Sequence, residues 1–280
     1  MRHWLLSFCI FFSPPIFPWN ALGHRLIAQI AYDEITPHTR QVLNRYQLAL
    51  DKIYKPQTLV DSAVWLDMLR YQGIGWYAPM HYIDIPFSED GSPLPIPQQI
   101  NAVWAIDNAN NVLLNKYATD FDKGIALRIL LHVVGDIHQP LHAATKVSAH
   151  FQRGDQGGNL VPLTGNPVAK NLHAYWDRGA GLLKTKKRLN ASDTREMAQI
   201  LEKKWPCSKE DLRFNARLWA EESHQLAVNH AYKFPIDSNY QQNTQTIIAH
   251  RIALAGCRLA NLLTQLDLAL TNHLSTLKIS

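Results

Sequence analysis

The sequence predicts a mainly α fold in a single domain. Three observations carry this. Apolar residues recur at three- and four-residue spacing in one segment after another. Strand-like apolar pieces are nearly absent, NLVPL (159–163) being the exception. No internal repeat, phosphate-binding glycine loop or long low-complexity tract interrupts the 280 residues. A chain that is 46% hydrophobic and 18% charged also buries a real core, which excludes disorder.

The helical segments run in order. Residues 23–33 are amphipathic. Thr36-Pro37 reads as an N-cap followed by proline in the first turn, opening a helix towards Leu48. TLVDSAVWLDMLRY (58–71) has helical spacing, as do 98–117 and 122–137, and Pro140 stops the latter. Patterns at 192–204, 208–231 and 243–271 complete the set; the last places Ile247, Ile248, Leu254, Leu259, Leu263 and Leu266 on one side. Two stretches are irregular. Residues 84–97 are rich in proline, and 143–170 carry glycines and the NLVPL piece, a candidate loop or β-hairpin arm.

The first residues stand apart. A basic start (Arg2, His3) precedes the apolar run WLLSFCIFF (4–12). A membrane-spanning helix needs roughly 20 apolar residues. This run is shorter, and Pro14, Pro15 and Pro18 end it. Residues 1–18 therefore read as a signal peptide and 19–280 as the exported domain, periplasmic or secreted. A buried N-terminal helix is the rival reading. The small-residue cleavage pattern is missing and Pro18 precedes the cut, so either the peptidase accepts proline or trimming follows an earlier cut. Cys9 lies in the leader. Cys207 and Cys257 remain, a candidate disulfide in an exported chain or two buried thiols. The net charge of +5 suits a phosphate-bearing partner but is weak support alone.

The chemistry sits in LHVVGDIHQPLH (131–142). His132 and Asp136 are four apart, hence on one helix face, above Ile125 and Ile129. Alone, such a pair is as readily a structural hydrogen bond. It is not alone. His142 follows just past the helix. His173 and Asp177 repeat the spacing in NLHAYWD. His81 lies in MHYID, Asp67 lies mid-helix in VWLDML, and His24 lies near residue 19. Five histidines and three aspartates in apolar settings point to metal, because buried charge must be paired or bound. Imidazole with carboxylate and no thiolate fits zinc in a catalytic role.

WNALGH (19–24), WLDMLR (65–70), MHYIDI (80–85), LHVVGDIHQPLH, GGN (157–159) and NLHAYWD (171–177) together resemble, in order and spacing, the zinc-dependent single-strand-specific nucleases of fungi, plants and bacteria. That family shares the helical fold of zinc-dependent phospholipase C. The resemblance covers about residues 19–180.

The resemblance implies three zinc ions per chain. The free amine and carbonyl of Trp19 would hold one with His24 and Asp136. Asp67, His81, His132 and the bridging Asp136 would hold the second. His142, His173 and Asp177 would hold the third. It implies in-line attack of an activated water on phosphorus, with Asp67 orienting that water and Arg70 stabilising developing charge. Tyr82 would stack a base, with Asp84 and Asn159 on the base edge. The implied substrates are single-stranded DNA and RNA, cut to 5′-phosphate products, and 3′-nucleotides. The implied enzyme is a monomer without stable membrane association. His138 matches no ligand position and either backs the ligands or lies on the surface. His38, His150, His224, His230, His250 and His273 have no motif context.

Two rivals remain. Zinc-dependent phospholipase C is similar in using an N-terminal Trp and three zincs. The short gap from Trp19 to His24, the Asp at 177 where the phospholipase has Glu, and GGN favour the nuclease. A non-enzymatic periplasmic zinc-binding protein would explain the ligands but not Arg70, Tyr82 and Asn159 beside them.

Overall fold

A computed structural model describes residues 19–184, 189–208 and 212–276, with side chains as far as Leu266. The leader reading of 1–18, with Cys9 and His3, and the side chain of His273 lie outside the described residues. The chain folds as ten α-helices among the described residues, joined by turns, two longer irregular stretches and one two-stranded sheet.

Polar caps open most of the helices. α1 (Ala21–Glu34) starts on Asn20, whose side chain accepts from the Gly23 amide. α2 (Pro37–Leu50) starts on Thr36 with proline in its first turn, as the sequence predicts. The 58–71 segment is not one helix. It breaks into α3 (Leu59–Ser62) and α4 (Trp65–Tyr71) at Val64, which leaves the helical region with φ −100° and ψ 3°. The break leaves the Ala63 carbonyl to accept from His132 Nδ1 at 2.7 Å.

α5 (Ala102–Leu114) is shorter than its sequence pattern, because Asn101 caps it. α6 (Asp120–Ile137) begins with a reciprocal Thr119–Asp122 capping box and stops before Pro140. Its second half is buried on nearly every side, the state of a helix at the centre of a fold. α5 and α2 pack against it, while α1 lies across α8 (Ala191–Lys204) and α10 (Ser238–Thr276). α7 (Leu172–Asp177) is a short helix capped by Asn171. The 208–231 pattern resolves into α9 (Ala216–Leu226) and a π-helical turn, Ala227–Ala231. The disulfide alternative holds: Cys207 is bonded to Cys257 and ties the segment after α8 to α10.

The loop reading of 143–170 holds, but NLVPL is not a hairpin arm. It makes one antiparallel bridge, Pro162 with Asn171. The paired strand of this region is β2 (Thr145–Val147), which lies parallel to β1 (Pro86–Ser88) with Pro86 opposite Thr145. Sequence periodicity cannot show this, since three residues carry no period. Bonds flanking the pair, Ile83 N to His142 O (2.8 Å) and Thr145 N to Ile85 O (3.1 Å), bring residues 81–85 against the turn after α6.

α2 and α6 approach closely at Gly124. A methyl group built there would lie 2.5 Å from the Tyr46 carbonyl oxygen and 2.8 Å from Leu50 Cγ. Gly124→Ala gains helix propensity yet overpacks this contact, so a net loss of about 1–2 kcal/mol is expected. Thermal unfolding measures it, and a midpoint at or above the parent's would mean the helices have room to part.

Candidate metal centre

Asp136, near the C-terminal end of α6, lies at the middle of the site with no exposure to solvent. Its two oxygens face different partners. Oδ1 is 3.3 Å from His24 Nε2, and Oδ2 is 3.0 Å from His81 Nδ1 and 3.1 Å from His132 Nε2. His24 comes from α1 and stacks on His132 at 3.9 Å between ring centroids. Asp67, from α4, reaches within 3.8 Å of His132 Nε2. A second cluster lies beside the first. His173 and Asp177 project from α7 at 3.4 Å, and His142 Nε2 is 3.5 Å from the other Asp177 oxygen.

Backbone carbonyls fix three imidazoles through Nδ1: Ala63 O for His132, His81 O for His142 and Gly157 O for His173. Each then turns Nε2 inward, the usual way an outer hydrogen bond sets the tautomer of a metal-binding histidine. Glycine makes room. A methyl group at Gly135 would lie 3.0 Å from His24 Nδ1. The Gly135 carbonyl accepts from the Trp19 indole at 2.8 Å, and the Asn20 amide donates to Asp177 O at 3.2 Å. Trp19 is thereby packed beside both clusters. Its expected chelating amine is a matter of processing rather than of packing.

Three groups of side chains could each hold a cation: His24 with Asp67 and His132; His81 with His132 and Asp136; His142 with His173 and Asp177. All eight expected His and Asp residues are present. The first two groups differ from expectation: Asp67 falls with His24 instead of with His81 and Asp136, and Asp136, expected beside His24, groups with His81 while lying 3.3 Å from His24. A cation fits on chemical grounds. Both ring nitrogens of His24, His142 Nε2, His173 Nε2, Asp136 Oδ1 and Asp177 Oδ2 are buried without a hydrogen-bond partner, and such atoms are costly unless something binds them.

Electrostatics agree. Burial pushes His24 down to about 3 and His81 down to about 4, so both are neutral donors near neutral pH. For His132, burial is outweighed by the Asp136 and Asp67 carboxylates, which raise it to about 9. It supplies the charge that Asp136 needs, and a divalent cation in its place would release that proton. Burial, with Asp136 nearby, raises Asp67 to about 7.

Above the donors lies a cleft of about 850 Å³ lined by Arg70, His81, Tyr82, Asp84, His142, Asn159 and His173 among others. Every cleft residue expected from the sequence is therefore gathered in one place. Asn159 donates to Gln156 O at 2.8 Å, which leaves its amide oxygen and one N–H for a ligand. A larger cavity, about 970 Å³, is lined by other residues of α1 with Thr58, Asn190 and Arg195, and contains none of the donors. Size does not mark the site here; the converging donors do.

His138 is fully buried, which excludes the surface alternative. Its Nδ1 donates to Val134 O (2.7 Å) and its Nε2 accepts from Arg258 (3.0 Å), behind the site. His150 lines the cleft despite its lack of motif context. Gln139 was not singled out by its sequence. Buried, it donates to Asp177 Oδ1 at 2.7 Å and accepts from the Leu141 amide at 2.6 Å, and so orients that carboxylate. The available signal was a polar residue between Asp136 and His142, where nothing apolar could bridge the two clusters.

Gly135→Ala should displace His24 and lower the bound-metal stoichiometry of the purified protein. Metal analysis giving the parental content would show that the ring can shift at no cost.

The comparisons with known proteins follow the same residues. The S1/P1 Nuclease family model matches residues 19–267. Nuclease S1 of Aspergillus oryzae is 28% identical over 168 residues, 57% of this chain and 53% of its own length. Nuclease P1 of Penicillium citrinum is 27% identical over 168 residues, 57% of each. Endonuclease 2 of Arabidopsis thaliana is 25% identical over 297 aligned positions, 94% of each. The match thus spans about half the length of the fungal relatives and nearly all of the plant one. With the family match running from Trp19 into α10, the chain belongs to the S1/P1 nuclease family.

Proposed function

We propose that this chain is an exported zinc-dependent endonuclease that cuts single-stranded DNA and RNA to 5′-phosphate products and also acts on 3′-nucleotides. The supporting observation is the convergence of eight His and Asp side chains, with orphaned buried donor atoms, beneath a cleft that carries Arg70, Tyr82, Asp84 and Asn159. We assign the three groups to three zinc ions, with Asp136 shared and Trp19 completing the site with His24 once its amine is free. The family match beginning at Trp19 favours a mature N-terminus there.

Zinc held by these residues supplies a water acidified towards neutral pH and neutralises phosphate charge. The chain does the rest. Asp67 accepts a hydrogen bond from the attacking water and fixes its line of approach to phosphorus. Arg70, one turn along α4, donates to a non-bridging oxygen as charge builds in the transition state. Tyr82 offers a face on which an unpaired base stacks. The free amide groups of Asn159 and the Asp84 carboxyl meet the base edge. Burial, with Asp155 nearby, raises Asp84 to about 6, so it is partly protonated in mildly acidic solution and can donate as well as accept. Bases inside a duplex are excluded because a base stacked on both faces cannot lie on Tyr82.

The first test is cleavage of single-stranded DNA, with and without a zinc chelator, beside phosphatidylcholine. Cutting that the chelator abolishes and zinc restores, with lipid untouched, is expected; lipid cleavage without DNA cleavage would move the assignment to the phospholipase branch. Arg70→Ala should lower kcat by about a hundredfold. Tyr82→Ala should raise KM on single strands roughly tenfold, the size of one lost base stack. Parental values in either case remove that residue's role. Mass spectrometry of the exported protein should place its first residue at Trp19, and any other start would end the chelating role of the amine.

A further inference from the structure

Tyr82, Asp84, Asn159 and Arg70 account for only part of the cleft lining. Much of the remainder is one loop, residues 149–154, which leads from β2 to Asp155. The loop is held by its own bonds. Ala149 N donates to Asp90 Oδ2 at 2.9 Å, Phe151 N to Ser148 Oγ at 3.1 Å, and Gly154 N to Phe151 O at 2.9 Å. Behind it the fully buried Asp155 accepts from Lys146 N at 2.9 Å and from the Tyr232 hydroxyl at 3.0 Å. His150 packs edge-on against Phe151 at 4.6 Å.

The loop carries one arginine, Arg153. It is exposed, lines the cleft, and among the described residues has no carboxylate partner. Three acids held against the loop are already engaged, and Asp84, which shares the cleft, makes no ion pair with Arg153 among the described residues. Glu89 pairs with Lys146 at 2.6 Å and Lys233 at 3.6 Å, Asp90 binds Ser88 and the Ala149 and Ser92 amides, and Asp155 binds Tyr232. An uncompensated guanidinium on a braced loop, facing a cleft for a polyanion, is preorganised for phosphate.

We propose that Arg153 holds a backbone phosphate adjacent to the scissile one, making the loop a second nucleotide subsite for single-stranded substrates. This rests on the nuclease reading above. Arg70 serves the reacting phosphate; Arg153, from a separate segment, serves a neighbouring phosphate that undergoes no chemistry. Such a contact positions the strand and carries no sequence information.

The test uses the zinc-loaded mature protein, Arg153→Gln and Arg153→Lys. Two substrates are compared across a range of salt: a dinucleoside monophosphate, whose single phosphate is the scissile one, and a single-stranded oligonucleotide. In Arg153→Gln the KM for the oligonucleotide should rise about two- to fivefold more than that for the dinucleoside, as for loss of an exposed charge pair. The slope of log affinity against log salt for the oligonucleotide should fall by about 0.7, one phosphate contact on a single strand. Arg153→Lys should keep the slope. A parental KM ratio and slope in Arg153→Gln would overturn the subsite. So would loss of both in Arg153→Lys, since a structural role would then explain them. A parent protein that cuts neither substrate would instead defeat the nuclease reading, and the subsite with it.

Discussion

A carboxylate without solvent is the constraint on which this structure depends. Asp136 sits at zero exposure among His24, His81 and His132. A buried charge of this kind persists only when opposite charge and hydrogen-bond donors surround it. The fold supplies them from three directions: α1 brings His24, the turn before β1 brings His81, and α6 brings His132. Each element is in turn fixed by apolar packing around α6, whose second half is buried on nearly every side. The hydrophobic core and the charged centre are therefore one construction, since the helix that fills the core carries the carboxylate.

Departures from regular structure lie where the site needs them. The break at Val64 leaves the Ala63 carbonyl to orient His132. Gly157, in the left-handed region at φ 61°, turns its carbonyl onto His173 Nδ1, and Gly158 follows at φ 82°. A side chain at Gly157 would clash with the Leu141 carbonyl as well as strain the backbone. The short parallel sheet is too small to contribute much core, but it sets the turn after α6 beside residues 81–84. Local irregularity here serves orientation, and the long helices supply the stability that tolerates it.

Behind the donors lies a second buried polar network. Arg251 donates to the His138 carbonyl at 3.1 Å and Ser223 donates to Ile137 O, so the last carbonyls of α6 are satisfied by side chains from α10 and α9. Arg258 and Arg251 share Glu222, whose carboxyl they hold below its usual range although burial acts the other way. This explains why a histidine in the middle of the richest motif is not a candidate ligand. His138 faces two guanidiniums, which with burial keep it neutral and turned from the metal side.

The sequence by itself determined the helical class, the starts of α1, α2, α3, α6 and α8 to within two residues, and the eight donor residues. These are local properties: an apolar period of 3.6, capping side chains next to their helices, and pairs four residues apart on one face. Tertiary structure alone decided which donors meet. His24 and Asp136 are 112 residues apart in the chain, and no pattern in either segment encodes their 3.3 Å approach. It also decided the break at Val64, the strand pairing of 86–88 with 145–147, the role of Gln139, and the place of His150 and Arg153 in the cleft wall. Each depends on a carbonyl, a turn or a partner supplied by a distant segment. Contacts of that kind are fixed by the packing of whole helices, which residue spacing along a single helix does not record.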